Sequence, residues 1–119
     1  MSPFSNVREE IPMIIYGKEI DFKVTRANDA KALQAAVSEL SREAEEFEGL
    51  LQEGETHDLG MLINRRIEIV RNFFIRATGQ DVLEGCDDMQ EADKAYMQFI
   101  DVAKAQSAAV RSNVLYLVK

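Results

Sequence analysis

Residues 59–79, LGMLINRRIEIVRNFFIRATG, constrain this chain more than any other stretch. Ile63, Ile67, Val70, Phe74 and Ala77 recur at spacings of four, three, four and three. That spacing places them on one face of an α-helix. Leu62, Ile69 and Phe73 widen the face well beyond a narrow stripe. A helix so broadly apolar needs packing partners on more than one side, so the segment predicts a central helix running to about Thr78. Gly79 suits the left-handed residue that closes it.

The rest of the chain is organised around that helix. Residues 1–12 mix polar residues with Pro3 and Pro12, show no period, and read as a flexible N-terminal tail. An apolar run at 13–16 is interrupted by Gly17 and Lys18, after which Ile20, Phe22 and Val24 alternate with polar residues. This predicts a β-hairpin with those three side chains facing inward. The order Gly17-Lys18 suits a type II′ turn better than type I′.

A long helix is expected next, with Asn28 as N-cap and Asp29 in its first turn. Ala30, Leu33, Val37, Leu40, Ala44, Phe47 and Leu51 alternate three and four residues apart, the pattern of a helix packed lengthwise on another. Gly49 and Gly54 mark its end, and residues 56–58 form a polar link to the central helix. Asp81 and Glu84 have the capping spacing for one short turn that Gly85 stops. Asp88 and Glu91 repeat that signal and open a third helix, whose face reads Met89, Ala92, Tyr96, Phe99, Ile100, Ala103, Val110, Val114, Leu117. The fold class expected is mainly α (α+β): a short N-terminal β-hairpin followed by three long helices packed as a bundle, with 13–119 as a single domain.

Charge and composition exclude several function classes. The net charge of −7 argues against nucleic acid, whose binders cluster Lys and Arg against phosphate, and against an anionic membrane surface. Cys86 is the only cysteine, which fits a reducing cytoplasm. There is no signal-peptide pattern at the start and no apolar run approaching the roughly 20 residues that span a bilayer. The expectation is a cytoplasmic protein.

Few residues suggest chemistry. His57, the single histidine, sits in a polar link with no ligand partners at metal spacing, and reads as a solvated loop residue. Cys86 lies in LEGCDD, where the acidic neighbours suppress thiolate, and reads as a small packing residue. Glu39, Glu43, Glu45, Glu46 and Glu48 fall mostly off the apolar seam and read as a solvated face. Glu39 and Glu43 have a spacing seen in carboxylate-bridged metal bundles, but the Glu-x-x-His motif those bundles need is absent. No glycine-rich phosphate loop is present either. No cofactor, metal or enzymatic activity is therefore expected. Arg66 projects inside the apolar arc of the central helix. It is expected to form a structural ion pair with a carboxylate of the acidic first helix, or to snorkel to solvent.

Taken in order, the segments IIYGKEIDFKV, NDAKALQAAV, RIEIVRNFFIRATGQDVLEGC and EADKAYMQFIDVAKAQ resemble a family of small phage and prophage proteins of Gram-positive bacteria. The resemblance spans roughly residues 13–106 and lies in the order and spacing of the segments. Such proteins are similar to tail assembly chaperones of long-tailed phages, encoded between the tail-tube and tape-measure genes. The resemblance implies a non-enzymatic protein that coats the helical tape-measure protein and hands it to polymerising tail-tube subunits. The alternative is a self-associating structural or regulatory module of a mobile element without chaperone activity. The candidate protein-binding strip is Tyr96, Phe99, Ile100 and Ala103, bordered by Lys94, Asp101 and Lys104; the same periodicity equally fits a strip of intramolecular core. The seam of the first helix and the apolar stretch 114–118 add the expectation of a homo-oligomer.

Overall fold

The structure, a computed structural model, describes residues 13–52 and 58–118, with the backbone alone at 109 and 111–118. The N-terminal tail expected at 1–12, Gly54 and His57 lie outside the described residues. Two strands, β1 (Met13–Ile15) and β2 (Lys18–Ile20), form an antiparallel hairpin, followed by α1 (Ala27–Gln52), α2 (Leu59–Thr78) and α3 (Met89–Val118). The fold class expected from periodicity is the one observed.

Ile15 pairs with Lys18, so the hairpin loop consists of Tyr16 and Gly17. Both have positive φ, 54° and 75°, as a type I′ turn demands and a II′ turn does not. The II′ expectation is thus corrected: the turn lies one residue earlier, with a tyrosine in the left-handed region. The β1 side chains alternate, burying Met13 and Ile15 and exposing Ile14. Ile20 and Phe22 are buried as expected, while Val24 packs against the core only in part.

Helix ends follow local capping chemistry. Arg26, not Asn28, precedes the first turn of α1; its carbonyl accepts from the Ala30 N–H at 2.9 Å. Asn28 is exposed within the helix, and Asp29 reaches back to accept from the Lys23 N–H at 2.9 Å. Asp58 caps α2, accepting from the Gly60 N–H at 2.7 Å and the Met61 N–H at 3.3 Å. Gly79, with φ 77°, closes α2 through its N–H to the Ile75 carbonyl. Asp88 caps α3, accepting from the Gln90 and Glu91 N–H groups. The segment between Gln80 and Asp88 makes turns rather than a helix. Asp81 is no cap there, because its carboxylate faces Arg71, whose Nε donates to Oδ1 at 2.7 Å.

The helix α2 is central: α1 and α3 each pack on it, and β1 packs on α3. Phe73, Phe74 and Phe99 are fully buried and meet edge to face, with centroids 5.4–5.7 Å apart. Phe22 brings the strand segment onto Phe99 at 4.9 Å, and Val82 and Leu83 plug the core from the α2–α3 turn. Gln80 ties hairpin to turn, donating from Nε2 to the Glu19 carbonyl at 3.1 Å and accepting from the Asp21 N–H at 3.2 Å. Lys18 adds a bond from Nζ to the Asp81 carbonyl at 3.1 Å. No helix among the described residues is long and apolar enough to cross a membrane.

Candidate functional site

The rotation of α1 about its own axis creates the site. A helix with an apolar repeat every 3.5 residues normally turns that seam onto its neighbour. Here the buried residues of α1 are Ala36 and Glu43, two helical turns apart on one face. Ala36 has no side chain beyond Cβ and allows close approach to α2. Glu43 is 4% exposed. Its Oε1 accepts from Arg76 Nη1 at 3.0 Å, its Oε2 accepts from Asn72 Nδ2 at 3.4 Å, and Arg65 stands 3.9 Å away. The solvated-face expectation therefore fails for Glu43, because α2 presents three polar groups that replace its lost hydration. It holds for Glu39 and Glu46, which flank exposed Arg42. Arg42 beside Glu39 holds that carboxyl below its usual range.

Drawing Glu43 inward turns half of the expected seam outward. Leu33 and Leu40 still pack against the core. Val37, Ala44 and Leu51 do not; Val37 and Leu51 are 40% and 51% exposed. Between this edge of α1 and the first turns of α3 lies a cleft of about 360 Å³ with α2 as its floor. Leu40, Ala44, Phe47 and Leu51 line one wall, Ile69 and Val70 the floor, and Tyr96 the opposite wall. Burial raises the Tyr96 phenol above its ordinary pKa. Ile69 is buried yet stands outside the main core cluster. From Leu40 to Leu51 the cleft follows about 16 Å of helix, three turns.

Charges sit on the rim. Arg66 and Asp93 face each other across the α2–α3 side at 3.3 Å, both half-exposed. The expected ion pair of Arg66 therefore forms with α3 and not with the acidic first helix, whose inward carboxylate is already held by Arg76 and Arg65. On the α1 side Glu45 and Glu48 are exposed and make no ion pair among the described residues.

The strip named from the sequence is divided by the fold. Phe99 and Ala103 are buried, and Ile100 and Tyr96 pack against the same core. Of the four, only Tyr96 lines the cleft. The apolar face of α3 is covered here by α2 and the hairpin, whose own apolar faces need it, so the strip is not presented for docking. Cys86 packs against the core, with Sγ 3.4 Å from the Asp88 carbonyl it donates to. The neighbouring Cys86 side chain, desolvation and Glu91 push the Tyr16 phenol up to about 12. Among the described residues no group of His, Cys, Asp or Glu could hold a metal ion. The cleft escaped sequence reasoning, although its α1 wall was visible as the seam itself.

The fold and cleft define a hairpin-led three-helix protein with an open apolar groove. Compared with protein families, curated proteins and solved structures, the chain finds no match.

Proposed function

We propose that this protein is a non-enzymatic, tail-assembly-chaperone-like factor that binds a helical segment of a phage tail component, the tape-measure protein, in the groove between α1 and α3. The observation that carries the reading is the groove itself: apolar along three turns of α1, open on one side, and bordered by charge. Recognition of a helix by a groove uses apolar anchors at i, i+3/i+4 and i+7, and three turns of wall hold such a set. A long helical tape-measure protein exposes many apolar faces before assembly. A shallow groove with charged rims covers one of them while the complex stays soluble. The order of segments that resembles the phage family supports the same reading from the sequence.

The test is co-expression with the tape-measure protein encoded in the same gene cluster, followed by pull-down. Ala44 is exposed in the groove wall, so Ala44→Arg obstructs docking without entering the core. The proposal expects soluble tape-measure protein and a recovered complex with the native chain, and loss of both with Ala44→Arg. If the tape-measure protein is equally soluble without this chain and no complex is recovered, the chaperone reading is wrong.

A further inference from the structure

We infer that, in the absence of another partner, the groove of one chain receives the C-terminal end of α3 from a second copy, in a head-to-tail contact. The inference rests on the groove being a helix-docking site, as proposed above, and names a second occupant for it.

Charge selects this occupant. The groove rim on α1 carries Glu45 and Glu48, both exposed and without an ion pair among the described residues. A matching helix is apolar with a cationic border. The chain as a whole has net charge −7, but residues 104–119 include Lys104, Arg111 and Lys119 and no Asp or Glu. In that stretch Val110, Val114 and Leu117 recur at spacings of four and three, the anchor spacing a helix groove reads. From Val110 to Val118 the helix spans about 12 Å, which fits within about 16 Å of groove wall.

Geometry makes the contact intermolecular. The groove touches α3 at Asp93 and Tyr96, near its start, whereas Val114 lies about 27 Å further along the same helix. A continuous α3 cannot return its own end to its own groove. Among the described residues the core members contributed by α3 stop at Ala103, and Gln106 makes a last contact with the hairpin side, accepting from the Val24 N–H at 2.9 Å, while the helix itself continues to Val118. Groove and helix end are different surfaces, so the contact is heterologous and propagates into rings or filaments rather than closing as a two-fold dimer.

The experiment uses the purified full chain alone, by sedimentation velocity over a concentration series. The wild type is expected to gain mass beyond a dimer as concentration rises. Two variants each remove one half of the contact: Ala44→Arg blocks the groove, and Val114→Asp with Leu117→Asp spoils the helix end. Each alone is expected to weaken association at least about tenfold. Mixed together, they are expected to form a one-to-one complex that grows no further, because each supplies the half the other lacks. A circular dichroism spectrum and melting curve of each variant shows that the fold is retained. A wild type that stays monomeric at high micromolar concentration overturns the inference, as does a mixture that remains monomeric while the wild type associates. If the wild type is monomeric but Ala44→Arg still loses the tape-measure protein, the occupant is a foreign helix. This inference then falls while the proposed function stands.

Discussion

Arg76 Nη1 donates to Glu43 Oε1 at 3.0 Å across the α1–α2 interface, joining a half-exposed guanidinium to a carboxylate that is nearly sealed from water. The two ends of this bond are not equivalent. Removing Glu43 leaves Arg76 free to turn toward solvent. Removing Arg76 leaves a buried anion with only Asn72 at 3.4 Å and Arg65 at 3.9 Å.

Arg76→Met is therefore expected to destabilise the protein by about 2–4 kcal/mol, and Glu43→Met by less than half of that, since an uncompensated buried charge costs more than a lost pair. Urea unfolding of both variants measures the order. Equal losses, or a larger loss for Glu43→Met, contradict this account of the α1–α2 interface.

Acid should weaken the joint between α2 and the turn that follows it. The bidentate Arg71 hydrogen bonds hold the Asp81 carboxyl below its usual range. A carboxyl with a depressed folded pKa stabilises the fold above its unfolded pKa, about 3.9, and loses that contribution as pH falls through the folded value. Asp81→Asn should thus be less stable than wild type at pH 6, with the gap closing as the pH is lowered below about 4. Chemical denaturation across this range checks it; a gap that widens in acid contradicts the assignment.

Phe99 and Met97 separate core from surface on α3. Phe99 is fully buried against Phe22, Phe73 and Phe74, so Phe99→Ala is expected to cost about 3–5 kcal/mol. Met97 is 53% exposed, and Met97→Ala is expected to change stability by no more than about 0.5 kcal/mol. Thermal melts of the two proteins decide between core and docking strip. A Phe99→Ala protein with native Tm but lost partner binding returns the strip to the surface.

Tyr16 should titrate late. Its phenol is raised to about 12, first by the neighbouring Cys86 side chain, then by desolvation and by Glu91. Ultraviolet titration of the wild type against Tyr16→Phe isolates its absorbance. Cys86→Ala is expected to bring the transition back toward the ordinary value of about 10. An unmoved transition means that Cys86 is not its main neighbour.

Periodicity and short-range chemistry made much of the fold legible in the sequence. The spacing of Ile63, Ile67, Val70, Phe74 and Ala77 announced a central helix, and all but Ile63 are buried in α2. Gly79 and Asp88 were readable as helix ends because a cap bonds groups within a few residues of itself. The hairpin was legible from alternation, although its turn type was not, because nothing local required Tyr16 to adopt φ 54°.

Only the tertiary structure decided which face of α1 meets α2, and with it the existence of the groove. Periodicity says which residues share a face; it does not say what lies against that face. Neighbouring positions on a helix differ by about 100°, so turning α1 by about half that step keeps Leu33 and Leu40 at the interface and replaces Val37 and Ala44 there with Ala36 and Glu43. That rotation is tied to Arg76, 33 residues away along the chain, and the partner of Arg66 is likewise 27 residues distant on α3. Such pairings depend on how whole helices are set side by side, so local pattern alone cannot supply them. The sequence determined the elements and those ends set by local caps, the close of α2 at Gly79 and the start of α3 at Asp88; tertiary packing decided their rotation, because a buried carboxylate must find its cation wherever the fold has placed it.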